Sequence, residues 1–158
     1  MLLTIIIVPG AVRYYMTDSP KVAMEELFAD VWNGERPETA SELVHANYTI
    51  HDRESADELA GPSPYRALAE GTREAFSDAR FTIEDALVAD ERVALRWRMT
   101  GTHEGELFGV ESAGRTVELA AIEIDRFADG ELVETWTQSD QLGLMEEIGA
   151  LSSLHEIE

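Results

Sequence analysis

One stretch of the chain, residues 116–140, carries acidic and aromatic side chains at a spacing that suits proton transfer. Two β-rich runs flank Asp129-Gly130, which favours a tight hairpin turn because both of its residues accept positive φ. With these two as the turn residues, Glu123 on the first strand faces Trp136 on the second. By the alternation of a strand, the same face carries two more polar residues, Gln138 and Asp140. The pattern predicts a half-apolar pocket with one acid/base group.

Asp140 is the first candidate for a general acid or base. Burial beside Trp136 would raise the pKa of Asp140 towards neutrality, as removal of a proton from a carbon next to a carbonyl group requires. A structural alternative is that Asp140 only caps the following helix. Glu123 is a second candidate acid, and two neighbouring carboxyl groups would push one pKa higher still. A register shift of one residue would instead turn Glu123 towards solvent.

An enolate formed by such a base needs hydrogen-bond donors, and the cavity that holds it needs a wall. The candidates are side chains that could converge on the same cavity, namely His51, His103, Tyr48, Gln138 and the indole N–H groups. Histidines at strand ends also often satisfy only backbone groups, and Trp97 and Trp136 suit a core or cavity wall. No pair of the four histidines has ligand spacing on one element, so no metal site is predicted.

The elements that would position these residues are mostly helical in the first part of the chain and mostly strands in the second. Ser19-Pro20 begins a helix that Asn33-Gly34 ends, and apolar residues repeat between them at helical spacing. A second helix over about 38–45, a strand over 48–52 and a third helix from residue 63 precede two hairpins and a closing helix. This order predicts an α+β domain in which a curved antiparallel sheet is covered by helices.

Composition narrows the function classes. The 158 residues contain no cysteine, which excludes a disulfide scaffold, a thiol nucleophile and cysteine-ligated metals, and which fits a cytoplasmic protein. Acidic residues number 32 against 12 basic ones, giving a net charge of −20. Nucleic acid and anionic membranes are poor partners for such a surface. The acidic bias is typical of a salt-adapted, halophilic protein.

The first fifteen residues lack this acidic bias. Met1 to Val8 is an apolar run, and no acidic residue precedes Asp18. The run is too short to span a bilayer and lacks the basic start of a signal peptide, while a buried edge strand is a further alternative. We expect residues 1–15 to be an N-terminal extension outside the functional fold, and residues 16–158 to form a single domain.

Several short motifs, in this order and spacing, resemble the SnoaL-like polyketide and ester cyclase family. They are Tyr-x-x-His-Asp at 48–52, Arg-Glu-Ala-Phe-x-Asp at 73–78, Gly-Thr-His-x-Gly at 101–105, Phe-Gly at 108–109 and Ile-Asp-Arg-Phe-x-Asp-Gly…Trp-x-x-x-Asp-x-x-Gly-Leu at 124–144. The likeness covers about Val22 to Gly149. It implies the cone-shaped α+β fold of the nuclear transport factor 2-like superfamily, also described as a cystatin-like α+β barrel.

The resemblance also implies chemistry. The family's polyketide cyclases close a ring by intramolecular aldol condensation without a cofactor, and a pocket aspartate serves as general acid and base. That aspartate corresponds to Asp140 here, and His51 and His103 match histidines that are common in the family. The expected ligand is an apolar small molecule.

Three classes of function remain open: a cofactor-independent cyclase or related isomerase, a non-catalytic small-molecule-binding module, and a dimeric interaction domain of the same fold. An open sheet with helices on one side leaves its other face in need of cover, so we expect a homodimer that pairs through the sheet. The residues predicted for that interface are Arg96, Arg98, Ile122, Ile124, Val133 and Thr135.

Overall fold

The order of the elements follows the helix-then-strand pattern of the sequence, with a short hairpin in front. A computed structural model describes residues 4–8, 11–15, 19–51 and 60–151; the predicted domain start at residue 16 lies outside them. The elements in chain order are β1 (Thr4–Val8), β2 (Ala11–Tyr15), α1 (Pro20–Leu27), a π-helical turn (Phe28–Trp32), a 3-10 turn (Pro37–Thr39), α2 (Ala40–Leu43), β3 (Val44–His51), α3 (Pro62–Ala75), β4 (Arg80–Ala89), β5 (Arg92–Thr102), β6 (Thr116–Ala128), β7 (Glu131–Ser139) and α4 (Gln141–Ile148).

Five strands form one sheet in the order β3-β7-β6-β5-β4. The pairs β4–β5, β5–β6 and β6–β7 are antiparallel, as predicted. Strand β3 instead runs parallel to β7, so the sheet is mixed. The sequence could not show this, because β3 and β7 are far apart in the chain and their pairing depends on the long connection through α3.

The alternation of β6 explains why one face of the sheet is buried. Its residues alternate between exposed and buried from Thr116 to Asp125. Helix α1 and the π-helical turn cover the buried face, which we call the inner face, with Met24, Leu27 and Val31 at helical spacing. The Asn33 side chain, just after the turn, bonds both the carbonyl oxygen and the N–H of Phe81, at 3.0 and 2.8 Å. This double contact ties the helical layer to strand β4.

The hairpin β6–β7 has the predicted turn but a different register. Asp129 and Gly130 both have positive φ, 52° and 82°, and Phe127 pairs with Leu132 as expected. The register then shifts, because Val133 is inserted as a β-bulge, so that Arg126 pairs with Glu134. Every later residue of β7 changes face as a consequence.

The bulge corrects several predicted positions. Glu123 pairs with Thr137, whereas Trp136 and Gln138 pair with Ile124 and Ile122 on the opposite, outer face. Thr135, which was predicted for the outer face, is only 4% exposed and points inward.

The N-terminal strands β1 and β2 pair with each other in a separate two-stranded sheet. No helix among the described residues is long and apolar enough to cross a membrane. That residues 1–15 are dispensable stays a prediction: a chain lacking them should retain its urea unfolding midpoint. A loss of several kcal/mol on their removal would show that the hairpin belongs to the core.

Candidate active site

Two acidic side chains lie next to each other on the inner face of β6. Glu123 and Asp125 are separated by one residue and therefore point the same way, and they are only 8% and 0% exposed. The indole Nε1 of Trp97, on β5, donates to Oε2 of Glu123 at 2.9 Å. The Thr135 hydroxyl, directly opposite on β7, donates to Oδ1 of Asp125 at 2.6 Å. The sheet thus holds a buried carboxyl pair, with one donor from each neighbouring strand.

Burial dominates the electrostatics of this carboxyl pair. It raises the pKa of Glu123 from 4.5 to about 7, although hydrogen bonds from Trp97 and with Asp125 act in the opposite direction. Burial, and then the charge of Glu123, raise the pKa of Asp125 well above its ordinary value. Among the described residues, no basic side chain forms an ion pair with either group. One of the two carboxyls can therefore exchange a proton near neutral pH.

Aromatic rings surround the carboxyl pair. Tyr48 lies beside Thr135 within hydrogen-bonding reach, and burial raises the pKa of its phenol. Tyr65 packs edge-on against Tyr48, with the ring centroids 5.4 Å apart. The phenol oxygen of Tyr65 accepts a 2.8 Å hydrogen bond from Nε1 of Trp32. Further rings in contact with this group come from the helical layer and from strands β4 and β5, namely Phe28, Phe81 and Trp97. The wall is apolar, with a few fixed donors.

The structure brings together three residues that the sequence singled out: Glu123, Tyr48 and Trp97. It adds Asp125 and Thr135, which the sequence analysis did not select. A signal for Asp125 was present, because a second acidic residue two positions from Glu123 must lie on the same strand face. Thr135 could not be found this way, since the bulge at Val133 alone turns it inward.

Asp140 lies elsewhere, at the start of helix α4. Its side chain is exposed and accepts a 2.9 Å hydrogen bond from the backbone N–H of Gly143, so it is an N-cap. The predicted position in a pocket wall, on one face with Glu123, is wrong, because the bulge at Val133 reverses the face of all later β7 residues. The helix-cap alternative describes the observed position.

His51, Trp136 and Gln138 lie on the outer face of the sheet. The His51 ring stacks on Trp136 at 4.9 Å, and its Nε2 is 3.2 Å from Oε1 of Glu134. Gln138 is exposed and donates to the backbone oxygen of Thr137. The predicted convergence of these three with Glu123 is therefore not observed; for Trp136 and Gln138 the reason is again the bulge in β7.

His103 is fully buried but lies just after the end of β5, far from the carboxyl pair. Glu123 pairs with Leu95, and His103 lies eight residues further along the chain. At a strand rise of 3.3 Å per residue this corresponds to roughly 25 Å along the strand. The His103 ring packs against Phe76 at 5.8 Å, and within the described part of the chain its nitrogens have no hydrogen-bond partner. Among the described residues, the structure shows no contact between His103 and Asp140. The pocket that these two were predicted to share is therefore not observed.

No three histidine, aspartate or glutamate residues of the described ranges are grouped as a metal ion would require.

The helix cap gives a direct test of Asp140. Asp140→Asn should leave stability nearly unchanged, because asparagine caps as well as aspartate, whereas Asp140→Ala should cost about 1 kcal/mol. Urea unfolding of both variants measures this difference. A large loss of turnover in Asp140→Asn, with intact stability, would restore the catalytic role expected from the resemblance.

Comparison with known proteins places this chain in a family. A family model described as SnoaL-like polyketide cyclase matches residues 22–148. No curated protein matches the sequence. Among solved structures, the chain is similar to IdmH, a putative polyketide cyclase from Streptomyces antibioticus, with 28% identity, a TM-score of 0.70 and coverage of 82% of this chain and 98% of that one.

Two further structures extend the comparison. AclR, a putative hydroxylase from Streptomyces galilaeus, is 28% identical with a TM-score of 0.70, covering 82% of this chain and 83% of that one. TsrD from Streptomyces laurentii, at 24% identity and a TM-score of 0.74, covers 83% of this chain and 95% of that one and supports the fold alone. The family match spans most of the chain, and the α+β cone agrees with it. The chain belongs to the SnoaL-like polyketide cyclase family, with a nuclear transport factor 2-like fold.

Proposed function

We propose that the protein is a cofactor-independent enzyme that enolises an apolar carbonyl compound and closes a ring by an aldol-type step, with Glu123 as general acid and base. One observation carries this proposal: a buried carboxyl group, bonded by the Trp97 indole, whose pKa is raised to about 7. A base of this strength is ionised in part at neutral pH and remains strong enough to accept a proton from carbon. Its position differs from that of Asp140, to which the resemblance pointed.

The reaction divides into two proton transfers. Ionised Glu123 removes a proton from the carbon beside the substrate carbonyl, and the electron pair moves to the carbonyl oxygen. The enolate carbon then attacks a second carbonyl group, and protonated Glu123 returns its proton to the alkoxide that forms. Charge and atoms balance without a co-reactant. Each step gains from a site in which donors are fixed before the charge develops.

The tyrosines supply suitable donors. Burial raises the pKa of Tyr48 and of Tyr65, so both phenols keep their protons at neutral pH. Because Trp32 donates to the oxygen of Tyr65, the proton of that phenol is free to point towards a substrate. Trp32 and Trp97 are only partly buried, so the aromatic group reaches the surface beside them. These features suit a flat, uncharged ligand with carbonyl groups.

A simple enolisable ketone tests the chemistry. We expect the protein to accelerate deuterium incorporation into 2-tetralone in heavy water, followed by proton NMR, well above the rate with an equal concentration of serum albumin. No acceleration at any pH between 6 and 9 would contradict the enzymatic proposal.

A second candidate is a module that binds an apolar small molecule or a protein without chemistry. This function is favoured by the contacts among the rings themselves, because such contacts fill interior space. The ring centroids of Trp32 and Phe81 are 5.1 Å apart, and those of Phe81 and Trp97 are 5.6 Å apart. Binding of 2-tetralone, followed by tryptophan fluorescence, without any deuterium exchange would support this function instead.

We also propose a homodimer that pairs through the outer face of the sheet. Ile122 and Ile124 are 61% and 42% exposed there. Arg96 and Arg98 form ion pairs with Glu84, and these three residues line an open depression of about 340 Å³ together with Ile122. An apolar centre flanked by both signs of charge is complementary to a second copy of itself.

Sedimentation in molar potassium chloride tests the dimer. Ile122→Glu should convert the dimer to a monomer of 17.6 kDa, because it places a charge at the centre of the apolar surface. Leu142→Glu is the matched control, since Leu142 is also 61% exposed but lies on α4. A monomeric wild type would remove the proposal.

A further inference from the structure

The carboxyl pair has an asymmetry that the general acid–base role of Glu123 does not require. Glu123 and Asp125 are next neighbours on one strand face, so their Cβ atoms are roughly 7 Å apart at a strand rise of 3.3 Å per residue. A glutamate and an aspartate side chain together are long enough to bridge this distance. Each group affects the pKa of the other, so the two side chains lie within interaction distance.

Each carboxyl receives one donor, but the surroundings of the two groups differ in the kind of donor and in exposure. Glu123 receives the N–H of Trp97, a donor that stabilises an ionised carboxylate. Asp125 receives only the Thr135 hydroxyl on Oδ1, and its Oδ2 has no donor among the described residues. Asp125 is also the more deeply buried of the two, at 0% against 8% exposed. The surroundings therefore favour the charge on Glu123.

Two adjacent anions in an apolar interior are unfavourable, because neither solvent nor a cation screens their repulsion. A single proton shared by the pair removes this repulsion, and a proton on Oδ2 of Asp125 would turn that oxygen from an acceptor without a partner into a donor towards Glu123.

We propose that Asp125 keeps the one proton of the buried pair and donates it in a hydrogen bond to Glu123, which makes Asp125 a positioning residue for the base. The description of Glu123 as a base rests on the proposed function; the position of the proton does not. The pKa directions agree with this arrangement, since burial and then the charge of Glu123 raise the pKa of Asp125 well above its ordinary value.

Titration of the carboxyl carbons by carbon-13 NMR tests the proposal directly, with the full chain labelled at the side-chain carboxyls of aspartate and glutamate. At about pH 8.5, above the titration of Glu123, one carboxyl should still have the chemical shift of a protonated acid. That signal should be absent from Asp125→Asn. In Glu123→Gln the protonated signal of Asp125 should disappear at a lower pH than in the wild type, because the neighbouring negative charge is gone.

Two substitutions of Asp125 distinguish its role as a hydrogen-bond donor from its role as a titrating group. Asp125→Asn retains an N–H donor and similar shape, so the titration of Glu123 should stay within about half a pH unit of the wild type. Asp125→Ala removes the donor, and because a hydrogen bond to a charged group is lost, the titration of Glu123 should move upward by about one pH unit or more.

Glu118→Gln is the control for both. Its carboxylate lies on the outer face of the same strand, 3.1 Å from Arg98, so its loss should leave the two buried signals unchanged.

Two results would overturn the proposal: both buried carboxyls ionised at pH 8.5, or a remaining protonated signal that disappears in Glu123→Gln but stays in Asp125→Asn. If Asp125→Ala does not fold, the wild type, Asp125→Asn and Glu123→Gln decide the question alone. A protonated Asp125 in a protein that fails to exchange 2-tetralone would leave the proton assignment intact and remove the catalytic role of Glu123. The two proposals therefore fail separately.

Discussion

Glu123→Gln is expected to lower the rate of 2-tetralone exchange by roughly 10² to 10⁴-fold, a barrier increase of about 3 to 5 kcal/mol. Glutamine retains the shape of the side chain and can still accept the hydrogen bond from Trp97, but it cannot take up a proton. The effect should therefore fall on the chemical step, and 2-tetralone should still bind, as tryptophan fluorescence would show.

The same variant should be at least as stable as the wild type at pH 8, because a buried group that resists ionisation has been replaced by a neutral one. Thermal unfolding provides this control, and it distinguishes a lost base from a damaged fold. Glu118→Gln, which removes an exposed carboxylate from the same strand, should retain the full rate. Exchange at the wild-type rate in Glu123→Gln would exclude Glu123 as the base.

The second large effect concerns stability and pH. The pKa of Glu123 is raised from 4.5 to about 7 on folding, so the folded protein binds this proton more tightly than the unfolded chain does. The corresponding stability is fully present below about pH 4.5 and is lost as the pH rises through 7. A difference of about 2.5 units at 1.36 kcal/mol each amounts to about 3 kcal/mol. Asp125 acts in the same direction.

Urea unfolding at pH 5 and pH 8.5, in molar potassium chloride to screen the surface charge, measures this dependence. The wild type should be less stable at pH 8.5 by about 3 kcal/mol, whereas Glu123→Gln should show a much smaller change. Asp78 and Glu134 have lowered pKa values, caused by hydrogen bonds from Thr102 and Arg126 respectively, and they affect stability only at more acidic pH. Equal stability of the wild type at both pH values would mean that Glu123 is not desolvated.

Local sequence determined the features that depend on neighbouring residues. Asp129-Gly130 specifies the hairpin turn, because positive φ is a property of the dipeptide itself. The alternation of β6 places Glu123 on one face with Asp125 and Phe127 whatever the partner strand does. Pro20 begins α1, and the helical spacing of its apolar residues shows which side packs on the sheet. The family motifs along the chain gave the α+β cone.

Tertiary structure decided the rest, because it depends on residues that are distant in the chain. The bulge at Val133 cannot be read from the turn, yet it sends Trp136 and Gln138 outward and brings Thr135 onto Asp125. The pKa of Glu123 comes from burial by rings that lie on other elements. Asp140 had the correct residue type for a base, but a strand end can lead into a cavity or into a helix cap. Only the packed structure, in which its side chain bonds Gly143, separates these two positions.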